Sequence, residues 1–123
     1  LTALSTKFSK NEGRIFENLV FQKLVRKNKP IYYWKDEKGR EVDFAIHING
    51  QVEALYQVSF DISDEDTLKR EVKSLLRAQK IFKCDNLNLI IFEKPENYKD
   101  IKNIKLITAV EFFRDSVLLL DKR

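Results

Sequence analysis

The stretch that decides the fold is EVDFAIHINGQVEALYQVSF, residues 41–60. Its first part alternates apolar and polar residues with the period of a half-buried β-strand. Asn49-Gly50 follows, a strong signal for a β-hairpin, and the return segment alternates again. We therefore predict a hairpin with one apolar face. That face consists of Val42, Phe44, Ile46 and Ile48 on the first strand and Val52, Ala54, Tyr56, Val58 and Phe60 on the second.

The register of this hairpin decides where its polar residues go. A two-residue loop would place Asp43 opposite Tyr56 and mix the two faces, because a shift of one residue turns every side chain over. We therefore predict an odd-length loop, such as three residues ending in a left-handed Gly50, or an equivalent bulge. Either one places Asp43, Gln57 and Ser59 in a single polar cluster. The alternative is an ordinary solvated sheet face.

The composition is typical of one soluble globular domain. The 123 residues are 43% hydrophobic and 34% charged, and the net charge of +4 is compatible with a nucleic-acid partner. The single Cys84 excludes an internal disulfide and a cysteine-rich zinc site, so a reducing, cytoplasmic location is expected. No apolar run approaches the roughly 20 residues that span a membrane. We expect residues 1–123 to form one domain, a C-terminal fragment of a longer protein.

The flanking segments predict a mixed α/β fold. A strand, a helix and a second strand at this spacing favour a parallel crossover. The expected order is α-β-β-β-α-β-β-α, a mixed central sheet flanked by helices. The predicted elements are a helix from a Ser9 cap to about Lys27, a strand over 31–35, a turn over 36–40, the hairpin, a helix over 64–82 capped by Ser63, strands over 87–92 and 104–108, and a helix over 109–120 opened by a Thr108–Glu111 capping box.

Glu17 falls inside the apolar arc of the first predicted helix, which we expect to be buried on several sides. A carboxylate in that position needs a partner, a metal ion or a raised pKa. The alternative to a functional role is an ion pair with a nearby Arg or Lys.

The second predicted helix carries a basic stripe within about 100° of arc. Such a stripe could bind phosphates, or it could be a solvated face. Glu71 lies at the edge of the apolar stripe beside Arg70, a second carboxylate in an unexpected place. The stripe consists of Lys69, Arg70, Lys73, Arg77 and Lys80.

This element order, with these residues, resembles the PD-(D/E)XK nuclease fold shared by restriction endonucleases and archaeal Holliday junction resolvases. It looks most like the nuclease-like C-terminal domain of archaeal and bacterial AAA-type ATPases. Five segments in one order are more specific than EVDF alone, and they lie within about Gly13 to Phe92. The segments are GRIFEN at 13–18, YYW at 32–34, EVDF at 41–44, QVS at 57–59 and Arg70-Glu71.

The resemblance implies cleavage of phosphodiester bonds with Mg²⁺ held by Glu17, Asp43 and Gln57. The family's strand lysine, which stabilises developing charge, is replaced here by the uncharged Ser59. A basic residue of the second helix would have to substitute for it, and Lys35 is a weaker candidate. The expected catalytic set is Glu17, Asp43, Gln57, Ser59 and Arg70, with Lys73 as the alternative to Arg70.

Three functions stay open. The first is a DNA-associated nuclease-fold domain of an ATPase with a degenerate metal site, which Ser59 favours. The second is an active magnesium-dependent DNA endonuclease, and the third is a protein–protein interaction domain. The chain has no GxxxxGK[ST] loop, so a P-loop ATPase domain would lie elsewhere in the same polypeptide. The other expected partners are DNA and, if the aromatic residues 32–34 mark a surface rather than the core, a second copy of the chain.

Overall fold

A five-stranded sheet with helices on both faces forms the described part of the chain. The computed structural model describes residues 2–26, 30–35, 37 and 41–114, and the side chains of 11–26, 30–35, 37 and 42–114. Most of the predicted 36–40 turn, the predicted helix end at Lys27 and the last helix beyond residue 114 lie outside them. The elements are α1 (Thr2–Arg26), β1 (Ile31–Lys35), β2 (Glu41–Ile48), β3 (Gln51–Ser59), α2 (Glu65–Phe82), β4 (Leu87–Ile91), β5 (Lys105–Thr108) and α3, described over residues 109–114.

The strands lie in the order β1-β2-β3-β4-β5. The pairs β1–β2 and β2–β3 are antiparallel, and the pairs β3–β4 and β4–β5 are parallel. Because α2 joins β3 to its parallel neighbour β4, the predicted crossover is confirmed. The prediction of a mixed α/β sheet flanked by helices is confirmed as well.

Each face of the sheet packs on its own apolar core. On one face, α2 contributes Leu75 and Ala78 to a cluster with Leu55 and Leu89 of the sheet. On the other face, Phe16 and Val20 of α1 and Phe112 of α3 pack on β2, β3 and β4. All five residues of β4 are buried, as expected for a strand covered on both sides. The alternative of a solvated face on the hairpin is therefore wrong.

The first helix differs from its prediction in two ways. It begins at Thr2, so Ser9 lies inside the helix and does not cap it. The helix can extend this far because residues 2–10 contain no Gly or Pro. It was also expected to be buried on several sides. Only one stripe of the described side chains 11–26 is buried, because α1 packs on one face of the sheet and against Phe112 of α3, while its outer side is exposed. The exposed apolar side chains are Ile15 at 59%, Leu19 at 47%, Phe21 at 42% and Val25 at 46%.

The aromatic strand β1 divides between core and surface. Trp34 packs edge-on against Phe82 of α2, with ring centroids 5.4 Å apart. Tyr32 and Tyr33 are 53% and 59% exposed, so these two tyrosines are not core residues. The β1 strand is an edge of the sheet, which leaves their rings on an accessible border.

The cap of α2 is Asp64 rather than the predicted Ser63. The Oδ2 atom of Asp64 accepts hydrogen bonds from the Thr67 backbone N–H at 3.3 Å and from the Thr67 hydroxyl at 2.9 Å. The N–H of Ser63 instead donates to Asp61 at 2.9 Å. Both residue types cap helices well, and the turn made by Asp61 puts Asp64 at the cap position.

The predicted capping box at the start of α3 is confirmed. The Thr108 backbone N–H donates to Glu111 Oε1 at 3.1 Å, and the Glu111 N–H donates to Thr108 Oγ1 at 3.3 Å. The bonds from the backbone and side chain of Thr108 lower the pKa of Glu111, which keeps its carboxylate charged and directed at the helix start.

The cap makes a prediction about stability. Asp64→Ala leaves the first-turn N–H of Thr67 without its acceptor and should lower the free energy of unfolding by about 1 kcal/mol. Ser63→Ala, one residue away and equally exposed, is the matched control and should change it by less than about 0.5 kcal/mol. Urea denaturation measures both. A larger loss for Ser63→Ala than for Asp64→Ala would contradict the observed cap.

Candidate functional site

The hairpin between β2 and β3 turns through a two-residue loop. Ile48 pairs with Gln51, and the loop residues Asn49 and Gly50 have φ values of 52° and 79°. Positive φ at both positions is what a type I′ turn requires. The predicted odd-length loop is therefore wrong.

The equivalent bulge, predicted as the alternative to that loop, is present. Ile46 pairs with Ala54, but His47 pairs with Val52. Glu53 is thus the extra residue on β3, and it shifts the register by one position beyond the loop. This shift brings Phe44 and Ile46 of β2 together with Tyr56 and Val58 of β3 on the α1 side, as the alternation predicted, whereas Val52 packs on the α2 side.

A second bulge lies beside Asp43. Tyr32 pairs with Ala45 and Trp34 pairs with Val42, so β2 has one more residue than β1 between these pairs. The extra residue turns Val42 into the α2 core, away from the face on which the alternation placed it. The bulge also interrupts the ladder of backbone hydrogen bonds next to Asp43, so polar groups there need other partners.

Side chains supply those partners where β2 and β3 separate. Phe44 and Tyr56 form the last pair of the ladder at this end. Beyond them, Oδ2 of Asp43 accepts the Val58 N–H at 2.8 Å, and Oε1 of Gln57 accepts the Asp43 N–H at 3.2 Å. Asp43 is 8% exposed and Gln57 4%. We call these two reciprocal bonds the Asp43–Gln57 clasp; they satisfy backbone donors that would be costly to bury alone.

The clasp contains two of the three residues of the predicted polar cluster. Ser59 is half-buried and lies two positions beyond Gln57, on the same side of β3 by alternation. It pairs with Ile91 of β4. A hydroxyl at this position cannot supply the positive charge that a lysine would place beside a phosphate.

Glu17 of α1 lies near the same end of the sheet, but its side chain is on the surface of the protein. One helical turn before it, a Cβ atom added to Gly13 would come within 3.8 Å of Phe60, just past the end of β3. One turn after it, the ring of Phe21 lies 5.5 Å from the ring of Phe44 in β2. The Glu17 side chain itself is exposed. The prediction that it projects into buried apolar surroundings is therefore wrong.

The donor set around the clasp does not fit a resident magnesium ion. Asp43 is one carboxylate and Gln57 is a neutral amide, and each already uses an oxygen on a backbone N–H. In the part of the chain that the structure describes, no group of three His, Cys, Asp or Glu side chains could hold a metal ion. Magnesium sites rely on charged oxygen ligands, and the arrangement here instead ties two strands together.

The residues expected to replace the missing strand lysine lie on the surface. Arg70 has a 71% exposed side chain, and its Nε lies 3.7 Å from Oε1 of Glu71, which is only 12% exposed. Lys73 and Lys35 are exposed as well. Because the guanidinium group of Arg70 stays largely in water, its ion pair with Glu71 is expected to contribute no more than about 1 kcal/mol to stability.

The basic stripe of α2 forms an accessible surface. Arg77 is half-buried, and the other four cations of the stripe are exposed. Leu76 and Ile81, at 38% and 52% exposure, lie among them. A shallow cavity of about 560 Å³ is lined by Lys73, Leu76, Arg77, Lys80 and Ile81. We call the surface formed by these five residues with Lys69 and Arg70 the α2 basic face.

One group of polar residues around the buried Asn88 was not predicted from the sequence. Asn88 is 4% exposed in the otherwise apolar β4, and its side chain lies beside Tyr56 and Lys105 of the neighbouring strands. The signal was present, because an asparagine interrupts the apolar run LNLII. Its neighbours could not be identified before the register of β3, β4 and β5 was known.

Comparisons with known proteins give the chain a family context. The family model DUF4143, described as a domain of unknown function, matches residues 12–112. The chain is 42% identical over 121 residues to the uncharacterized protein MJ1544 of Methanocaldococcus jannaschii. The alignment covers 92% of this chain and 26% of that protein. The chain thus spans about a quarter of the length of the curated relative it matches. No solved structure matches it significantly.

The clasp predicts how stability responds when its members are removed in the presence of EDTA. Asp43→Ala and Gln57→Ala should each lower the free energy of unfolding by about 1–3 kcal/mol, because each leaves a buried N–H without an acceptor. The double variant should lose less than the sum, since both bonds close the same strand end. Chemical denaturation of the four proteins measures this.

Glu96→Ala, which removes an exposed carboxylate from the loop between β4 and β5, is the control. A metal site without its metal behaves in the opposite way, because deleting one of several clustered carboxylates relieves repulsion. An Asp43→Ala variant as stable as the wild type in EDTA, or more stable, would contradict the clasp.

Proposed function

We propose, from the premise that this chain belongs to the DUF4143 family, that it is a nuclease-fold module that binds the nucleic-acid backbone without cleaving it. The observation that carries the proposal is the α2 basic face, where Lys69, Arg70, Lys73 and Lys80 are exposed. Phosphate contacts supply most of the affinity of sequence-independent nucleic-acid binding. DNA is the partner we assign to this surface.

The proposed absence of cleavage is supported by the Asp43–Gln57 clasp. A metal-dependent nuclease needs carboxylates that hold a cation and a positive charge that stabilises the developing negative charge. Here the side chains of Asp43 and Gln57, at the positions expected to hold the metal ion, accept hydrogen bonds from backbone N–H groups. Ser59 occupies the position at which the resembling family has a lysine. This supports a site that has lost its catalytic groups and kept its structural ones.

The charge distribution along α2 supports binding on its outer face. The acidic residues Glu65 and Asp66 lie in its first turn, Glu71 pairs with Arg70, and Lys80 lies in the last turn. The charges in the first and last turns complement the helix dipole. From Lys69 onward, the exposed charged side chains of the described helix are cationic, and they extend over about three helical turns, from Lys69 to Lys80.

The matched relative suggests the setting of the module. Because MJ1544 is about four times as long as the matched segment, we propose that the module is one part of a longer polypeptide. The resemblance of the sequence to ATPase-linked nuclease domains makes a P-loop ATPase domain the expected remainder. The basic face would then hold nucleic acid while nucleotide chemistry takes place elsewhere in the polypeptide.

A salt series tests the binding. Replacing Lys73 and Lys80 by Gln should lower the slope of log Kd against log salt by about 0.9 for each lost phosphate contact on duplex DNA. The control replaces Lys99 and Lys102 by Gln, the same change in charge on an exposed loop, and should keep the wild-type slope. Fluorescence anisotropy with a labelled duplex measures both. Equal slopes for the two double variants would remove DNA binding from the α2 basic face.

Incubation with Mg²⁺ or Mn²⁺ tests the other half of the proposal. Duplex, single-stranded and branched DNA should stay intact at protein concentrations that saturate binding. Cleavage that disappears in Asp43→Ala would instead establish the active endonuclease.

A second candidate function, protein–protein interaction, is favoured by the exposed apolar side chains of α1. Ile15 and Leu19 lie one turn apart on one flank of the helix, and Phe21 and Val25 form a second exposed pair, which Asn18 and Gln22 separate from the first. Clusters of this kind are typical of interfaces. The occupant we assign is the remainder of the longer polypeptide, given that the matched segment is 26% of the relative.

This candidate predicts that Leu19→Glu weakens binding between the 123-residue chain and the remainder, produced separately, by at least about tenfold, because a charge replaces a buried anchor. Asn18→Glu, at an exposed polar position of the same helix, is the control and should bind like the wild type. Calorimetry measures the affinity. Equal affinities for the two variants would exclude this surface as the contact.

A further inference from the structure

A row of polar side chains crosses the α1 side of the sheet away from the clasp. Tyr56 of β3 pairs with Asn88 of β4, and Asn88 pairs with Lys105 of β5. Paired residues of neighbouring strands project on the same side of a sheet, about 4.8 Å apart. These three side chains therefore form a continuous polar strip on a face whose other residues, such as Val58 and Ile90, are apolar.

Two helices enclose this strip. Lys23 of α1 and Glu111 and Phe112 of α3 stand over it and leave a cavity of about 320 Å³, within the range of small-molecule sites. The lining consists of Lys23, Tyr56, Asn86, Asn88, Lys105, Ile107, Glu111 and Phe112.

The charges of the lining favour an anion. Lys23 and Lys105 contribute two positive charges, and Glu111 contributes one negative charge. The carboxylate of Glu111 already accepts the N–H and the hydroxyl of Thr108. The ammonium group of Lys23 donates to the Phe112 carbonyl and lies 4.6 Å from the centre of the Phe112 ring.

The floor of the cavity offers a hydrogen-bond donor and an amide that is already hydrogen-bonded. Burial, with a smaller contribution from Glu53, raises the pKa of Tyr56, so its phenol stays protonated and able to donate at neutral pH. The side-chain amide of Asn88 is held by the Leu55 carbonyl at 3.2 Å and by the side chain of Asn86 at 3.1 Å. Groups fixed in this way lose little entropy when a ligand binds.

We propose that this cavity binds a small organic oxyanion, a carboxylate or a phosphate monoester, whose charged group lies near Lys105 and the Tyr56 hydroxyl and whose apolar part lies against Phe112. The binding is independent of nucleic-acid binding, because the cavity lies on the face of the sheet opposite α2. A compact anion fits the space, and the ring of Phe112 and the side chain of Ile107 supply apolar contact.

The test uses probes in charged and neutral pairs of similar shape. Benzoate is compared with benzamide, and phenyl phosphate with benzyl alcohol, by titration into the ¹⁵N-labelled 123-residue chain. The charged members should shift the side-chain amide signal of Asn88 and the backbone amide of Phe112, and the neutral members should not. A response to benzoate alone or to phenyl phosphate alone supports the site and identifies which oxyanion it takes.

Matched variants locate the charge that binds. Lys105→Gln, at an exposed position, should raise the Kd of the charged probe about tenfold, because a charge-assisted hydrogen bond is lost. Tyr56→Phe should raise it about threefold to tenfold. Lys102→Gln, an exposed lysine outside the cavity, should bind like the wild type. Absence of shifts with both charged probes, or equal Kd values for Lys105→Gln and Lys102→Gln, would overturn the proposal.

Discussion

The rest of the structure depends on how β2 and β3 are held where their backbone ladder ends. The bulge beside Asp43 interrupts pairing with β1, and the pairing with β3 stops at Phe44 and Tyr56. Two buried N–H groups would then be left without acceptors, and the Asp43 carboxylate and the Gln57 amide supply them. Because the sheet continues from β3 into the parallel strands β4 and β5, a loose end of β3 would affect both cores.

The same end of the sheet organises the helices around it. Phe60, which follows β3, lies in an edge-to-face contact with Phe16 of α1, with ring centroids 6.0 Å apart, and 4.9 Å from the ring of Phe92. These rings fix α1 across the sheet, and Gly13 faces Phe60, where an added Cβ would lie at an ordinary contact distance of 3.8 Å. The sheet thus separates three surfaces: the α2 basic face on one side, the polar cavity on the other, and the exposed apolar side chains of α1 beyond it.

Local signals in the sequence predicted much of this architecture. Three local patterns predicted the structure found at their positions. They are the turn at Asn49-Gly50, the capping box of Thr108 and Glu111, and the apolar run that forms the buried strand β4. The predicted proximity of Asp43 and Gln57 needed only the alternation and the rule that apolar faces pair.

Other features could not be predicted because they depend on tertiary packing. An odd loop and a bulge at Glu53 satisfy the same alternation, so the sequence could not distinguish them. Ser63 and Asp64 are both good caps, and the choice between them depends on the turn that precedes them. The exposure of Glu17 depends on how many sides of α1 are covered, and the row through Asn88 depends on the order of the parallel strands.

Amide hydrogen exchange at Asp43 and Val58 tests the central claim most directly. If the two side chains serve as backbone acceptors, both amides exchange slowly in EDTA, at rates comparable with those of paired residues in the β2–β3 ladder, and adding Mg²⁺ leaves the rates unchanged. Fast exchange of both amides in EDTA that becomes slow when Mg²⁺ is added would show that these side chains form a metal site and would contradict the clasp.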